Sequence, residues 1–250
     1  MRTDYTELFQ DESTVAKYEH VVFAPDSYAS AISRRHRFYL RRLVKRAFPY
    51  RRPLQHDFAC GTGRAIRILH GLVRAAHGYD SSEPMLTRAA ESGVYACLHL
   101  VNADGEVPEP VPADAPVLVT IFRLLLHADP KVRERAVAFA AKALRNYDAG
   151  LLVVENHGNR RSLRHLRHRR HHGSPWFEEL DHVEVAELLD RHGFTIVEKR
   201  GFSLFTQGWY GRSFLRPLAT VIDNFVARTG WGSTWAVNVL YVARRTRCLP

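Results

Sequence analysis

The chain has 250 residues, of which 46% are apolar and 25% charged; that suits one compact domain and excludes disorder as its main state. No apolar run reaches the ~18–20 residues of a bilayer span, and the acidic first thirty residues lack the apolar stretch of a signal peptide. With 36 Lys+Arg against 26 acids the net charge is +10, a balance that attracts nucleic acid, anionic lipid or an acidic substrate, but one that GC-rich codon usage also writes, since only five of the 36 are lysine. Three cysteines, Cys60, Cys97 and Cys248, show no CxxC spacing, which argues against a disulfide framework or zinc site and for a reducing, cytoplasmic setting.

Apolar residues at helical spacing between Val15 and Phe48 predict one or two leading helices. A strand over Leu54–Phe58 runs into a glycine turn, followed by a helix over Arg64–Leu72, a strand over Val73–Tyr79 and a helix over Ser82–Ser92, with Pro84 in its first turn. A third strand falls near Ala96–Val101. After a Pro-rich loop, Val117–Ile121 is a wholly apolar run of the kind that buried parallel strands show. Pro130–Leu144 reads as a helix, Leu151–Glu155 as a fifth strand and Val183–Arg191 as a helix closed by Gly193. Phe194–Lys199 and Ala236–Ala243 read as the last two strands, with an insertion over Gln207–Thr234 that holds a helix from Phe214 to Ala227. Strands alternating with helices in this way predict an α/β fold with a mostly parallel sheet covered on both faces.

Ligands of such sheets bind at the carboxyl ends of the strands. The first strand ends in Asp57-Phe-Ala-Cys-Gly61-Thr-Gly63, where glycine lets a ligand approach the backbone. Asp80 ends the second strand, placed to accept hydrogen bonds from a ribose diol, and Asp104-Gly105 follow the third, where a side chain meets an adenine edge. A dinucleotide fingerprint would need a third glycine, and position 66 is Ile.

These motifs resemble those of the class I S-adenosylmethionine-dependent methyltransferases over roughly Tyr18 to Ala243. DFACGTGR is similar to motif I, with Ala59 in place of its first glycine; HGYDSSEPML is similar to the ribose segment, NADGEVP to the adenine segment and VLVTIFRLLLHADP to the fourth-strand motif. The resemblance implies a Rossmann-like, seven-stranded sheet with an antiparallel last strand. It also implies S-adenosylmethionine as cofactor, held by Asp57, Ala59, Gly61, Gly63, Asp80, Ser81, Met85, Asp104, Gly105 and Phe122. One domain over residues 1–250 is expected, with cap helices over about 1–50, the cofactor core over about 51–206 and 235–245, and a cap insertion over about 207–234.

Transfer to a hydroxyl needs a base, and His127 and His157, expected at the ends of the fourth and fifth strands, are the candidates; Glu155 is placed to orient an imidazole or to hold a divalent ion such as Mg²⁺. The Asn/Asp-Pro-Pro-Tyr/Phe box of adenine- and glutamine-directed relatives is replaced by Ile121-Phe-Arg-Leu. A looser likeness to sugar- and polysaccharide-directed O-methyltransferases makes a saccharide or other small molecule the expected acceptor, with small-molecule N-methylation as one alternative. Another is RNA methylation through residues 160–172, which hold six arginines and four histidines; the competing reading is a solvated connecting segment. Trp209, Tyr210, Trp231 and Trp235 suit acceptor stacking, core packing or a homodimer contact equally.

Overall fold

The computed structural model describes residues 27–145, 150–168 and 178–246, together with Asp11; side chains are described through residue 165 of the middle segment. Seven strands form one sheet in the order β3-β2-β1-β4-β5-β7-β6: β1 Leu54–Phe58, β2 Ala75–Asp80, β3 Cys97–Leu100, β4 Val117–Ile121, β5 Leu151–Asn156, β6 Phe194–Ser203 and β7 Asn238–Arg245. β7 alone runs antiparallel, against β5 on one side and β6 on the other. The chain reverses its direction of travel across the sheet between β1 and β4, which opens a crevice at their carboxyl ends.

Helices α1 Tyr28–Ala47, α2 Arg64–Leu69 and α8 Arg216–Thr229 cover one face. Leu40, Leu43, Val44, Ile68 and Leu69 pack there against Leu118, Val153, Leu240 and Val242. Helices α4 Pro130–Ala143 and α6 His182–Asp190 cover the other, with Val137, Phe139, Ala140, Val185 and Leu189 against Val119, Ile121, Leu152 and Tyr241. Helix α3 is Glu83–Glu91, α5 Leu163–His168 and α7 Gln207–Tyr210. Because β4 and β5 have helices on both sides, every residue in them is buried, which is why they read as apolar runs.

Helix starts follow side-chain chemistry. Ser82 accepts from the Met85 N–H, Asp129 from Val132 ahead of Pro130, and Asp181 with Glu184 closes a capping box on α6. The second predicted helix is shorter than its sequence pattern: α2 stops at Leu69, the chain turns through Gly71 at φ +79°, and β2 begins at Ala75. β6 outruns its predicted end at Lys199, reaching Ser203 because two register irregularities keep it paired with β7. The expected leading helix is described only from Tyr28; its earlier part lies outside the described residues. Among the described residues no helix is long and apolar enough to cross a membrane.

Candidate active site

The turn after β1 is set by backbone that only small residues take easily. Ala59, Gly61 and Gly63 have φ of +56°, +52° and +76°. A Cβ on Gly63 would stand 2.8 Å from Val94 Cγ2, so glycine is required there by close packing as well as by φ. A Cβ on Gly61 would meet only the Met85 sulfur, at 3.9 Å, so the floor above Gly61 is open.

Asp80, at the end of β2, is bound to that turn. Its Oδ2 accepts the Gly61 N–H at 2.7 Å and its Oδ1 the Ser82 N–H at 2.9 Å, with Ser81 between. Burial pushes its carboxyl up, opposed by those backbone donors. Each oxygen keeps a lone pair for a further donor, as a ribose diol requires. Asp57 lies beneath the turn, 1% exposed, its Oδ1 accepting from Thr120 Oγ1 at 2.6 Å. Burial pushes Asp57 up to about 7, helped by nearby Asp80 and opposed by the Thr120 bond and Arg64.

The loop after β3 is held from two sides: the Asp104 N–H donates to Asn102 Oδ1 at 3.0 Å, and Arg135 of α4 donates to the carbonyls of Ala103 and Glu106. Asp104 itself is exposed and Gly105 half-buried beside Asn102. Met85 is 6% exposed and Phe122 7%, the latter with the Arg64 guanidinium 5.3 Å from its ring centroid. An open glycine floor, a half-buried carboxylate with spare acceptor capacity and apolar Met85 and Phe122 beside them together fit an aminoacyl nucleoside.

On the other side of the crevice the structure brings together the two sequence-predicted histidines. His127 Nε2 lies 3.1 Å from His157 Nε2, with ring centroids 4.9 Å apart. One ring must donate and the other accept, so the pair is held with at least one neutral imidazole. Burial, then the charge of Arg123, pushes His157 well below its ordinary value, and its Nδ1 is buried without a protein partner.

Glu155 reaches an imidazole only through Asn238. It is 1% exposed, ion-paired with Arg64 through Oε2, and its Oε1 accepts from Asn238 Nδ2 at 2.6 Å. Since Asn238 spends its amide N–H on Glu155, its Oδ1 faces His36 Nε2 at 2.9 Å, which fixes His36 as the Nε2–H tautomer. Burial pushes Glu155 up, but Arg64, His36, His157 and Arg123 outweigh it and hold the carboxyl below the usual range. A carboxylate so engaged fits neither a proton acceptor nor a divalent-metal ligand. Among the described residues no group of three or more His, Cys, Asp or Glu is arranged to hold a metal.

Sequence reasoning missed Arg64, His36 and Asn238. Their partners lie 91, 202 and 83 residues away, and no local pattern marks them. Arg123 adopts φ +59°, uncommon for a residue with a side chain, and its charge acts on both His157 and Glu155.

The described part of the Arg/His-rich segment is locally neutralised. Arg160 pairs with Glu184, Arg161 with Asp181 at 3.9 Å, and Arg164 and His165 with Glu179. The side chains of residues 166–172, including His168, His171 and His172, lie outside the described residues, as does Cys248. The four aromatics of the insertion do not form one wall: Tyr210 is buried against Arg35 and Asp223, Trp209 packs on Phe205, and Trp231 and Trp235 are exposed.

Residues 56–147 match the family model described as a methyltransferase domain. No curated protein matches the chain. Among solved structures, an S-adenosylmethionine-dependent methyltransferase from Thermotoga maritima is similar over 96% of this chain and 99% of its own, at 18% identity and a TM-score of 0.58. A second, from Clostridium acetobutylicum, gives 94%, 98%, 10% and 0.57 in the same order. Magnesium protoporphyrin IX methyltransferase from Synechocystis with bound SAH gives 94%, 100%, 14% and 0.54. At these identities the likeness is one of fold.

Proposed function

We propose that this chain, whose residues 56–147 carry a methyltransferase domain on the class I S-adenosylmethionine-dependent methyltransferase fold, methylates a hydroxyl of a small-molecule or saccharide acceptor. The observation that carries the hydroxyl reading is the His127–His157 pair beside the glycine turn's crevice, because an alcohol oxygen must shed its proton as it attacks.

In this reading Asp80 takes the ribose hydroxyls, the Gly61–Gly63 turn admits the aminoacyl arm, and Met85 and Phe122 supply apolar contact. Asp57, Ala59, Ser81, Asp104 and Gly105 complete the cradle. Bound there, S-adenosylmethionine would supply an activated methyl group, and the part of the chain would be to hold an acceptor hydroxyl facing it and to take its proton. With the two Nε2 atoms sharing one hydrogen bond, the ring that donates in it would take the hydroxyl proton at its Nδ1, while the other ring holds its orientation. Alignment of two reacting groups in a site of this kind is worth up to ~7–11 kcal/mol of barrier in general. Glu155 keeps Arg64 beside Phe122 and fixes the floor. The unbonded thiols of Cys60 and Cys97 suit a reducing, cytoplasmic setting.

The test is labelled S-adenosylmethionine with a panel of sugars, glycosides, phenols and amines, run on wild type, His127→Ala and His157→Ala. Labelled ethers, with one variant down about 10²–10⁴-fold in kcat and both retaining cofactor affinity, support the reading. Labelling of amines or RNA alone, or full activity in both variants, overturns it.

A further inference from the structure

His127 lies on the loop after β4 and His157 directly after β5. The two strands are neighbours, but that alone leaves their loops free to diverge. Each loop is fixed separately. After β4, the His127 and Ala128 N–H groups both donate to Leu124 O, in a turn that buries Leu126 to 6% exposure. After β5, Asn156 and Asn159 are fully buried and spend their side chains on backbone. Asn156 accepts the Gly158 N–H at 3.1 Å and donates to Leu180 O at 2.9 Å, while Asn159 donates to the carbonyls of Thr234 and Ala236.

The short run Glu178–Leu180 ties the loops to one another. The Glu178 N–H donates to Leu126 O at 3.0 Å, and the Leu180 carbonyl takes Asn156 from the other loop. Arg133 of α4, itself buried, secures the same place: it donates to Leu125 O at 2.8 Å and pairs with the Glu178 carboxylate at 3.1 Å.

Where the loops touch, a glycine meets a leucine. Gly158 is buried and, unlike Gly61 and Gly63, has no positive φ, so its backbone does not ask for glycine. What excludes a side chain is Leu126. A Cβ on Gly158 would run into Leu126 Cδ1 and stand 3.2 and 3.3 Å from its Cγ and Cδ2. Gly158 adjoins His157 and Leu126 adjoins His127, so this contact and the 3.1 Å bond between the imidazoles are one residue apart on both loops. That bond is already near the long end of the hydrogen-bond range, and a further ~0.5 Å ends it.

We propose that Gly158 and Leu126 are positioning residues for the histidine pair: their contact, held by Glu178–Leu180, sets the distance at which the two imidazoles share a hydrogen bond. Neither residue meets the acceptor; they act by keeping each ring in one tautomer and one orientation. The catalytic meaning rests on the reading of the pair as the acceptor's base, whereas the spacing itself is measurable without any acceptor.

The full chain is labelled with ¹⁵N in its histidine rings as wild type, Gly158→Ala and Gly158→Ala/Leu126→Ala, the last making room for the added methyl. NMR between pH 5 and 9 reads tautomer and pairing, calorimetry reads S-adenosylhomocysteine affinity, and turnover is followed with the sugars, glycosides and phenols of the preceding test. In wild type the two rings should hold fixed tautomers joined by one hydrogen bond. Gly158→Ala should lose that signature and about 10²-fold in kcat, with KM and S-adenosylhomocysteine affinity unchanged, and the double variant should regain most of both. If Gly158→Ala does not fold, Asn156→Ala, which releases the loop after β5 from Leu180, should show the same loss of pairing. Ring signals in these variants like those of wild type, or a double variant that folds without restoring the pair, overturn the proposal. Pairing that is lost and regained while turnover stays constant upholds the spacing role and removes the histidines as the base.

Discussion

Arg64, the first residue of the helix after the glycine turn, is ion-paired with Glu155 at the end of β5, joining the start of α2 to a strand two places from β1 in the sheet. Their side chains are 12% and 1% exposed, so removing one partner strands the other in a low-dielectric setting. Glu155→Gln should cost about 3–5 kcal/mol in urea unfolding. Arg64→Met in the same background should cost far less than it does alone, because the stranded charge has gone. The wild-type contribution is present above the ordinary carboxylate value of 4.5 and lost as pH falls below it, since the folded value is depressed. A Glu155→Gln variant as stable as wild type at pH 7 would remove this role.

Asp80 has two duties. It faces the proposed ribose site and it closes the glycine turn through the Gly61 and Ser82 N–H groups. Asp80→Ala should therefore weaken S-adenosylhomocysteine binding by at least ~1.5–3 kcal/mol in calorimetry and also lower the melting temperature. Asp80→Asn, which retains one acceptor oxygen, should recover most of the stability and less of the affinity. Unchanged affinity in Asp80→Ala would displace the ribose from this carboxylate.

What was legible in the sequence was contiguous. Asp57 through Gly63 and His77 through Leu86 are each short contiguous runs, one ending β1 and the other joining β2 to α3, so spacing alone places them along the chain. His127 and His157 could be placed only at strand ends; their mutual hydrogen bond depends on β4 and β5 being neighbours. The Arg64–Glu155–Asn238–His36 chain was invisible because it links four elements distant in sequence, and each residue type is ordinary where it stands. The insertion's aromatics were ambiguous because burial, not identity, separates Tyr210 in the interior from Trp231 at the surface.

Ala59 sits at φ +56°, in the left-handed region that favours glycine. A left-handed L-residue costs ~1–2 kcal/mol. Glycine there would recover that but give back ~0.4–1 kcal/mol to the freer unfolded chain. Ala59→Gly should be neutral to slightly stabilising, whereas the β-branched Ala59→Val should unfold several degrees earlier. Equal melting temperatures for both variants would show that the backbone relaxes out of the left-handed region.

Asp57 links pH to stability in the direction opposite to Glu155. Its folded value is pushed up to about 7 from an ordinary 3.8, chiefly by burial. A carboxyl that holds its proton more tightly when folded loses stability as pH rises from the unfolded value to the folded one, and the loss levels off above that. The span corresponds to about 4 kcal/mol before relaxation of the site. Asp57→Asn removes the titration while leaving an oxygen for Thr120 Oγ1, the donor at 2.6 Å in the wild type. Urea unfolding at pH 5 and pH 8 should show a stability advantage for the variant that is small at the lower pH and grows by a few kcal/mol at the higher. A gap of constant size would mean that Asp57 is already ionised at pH 5, its charge carried by Arg64 after all.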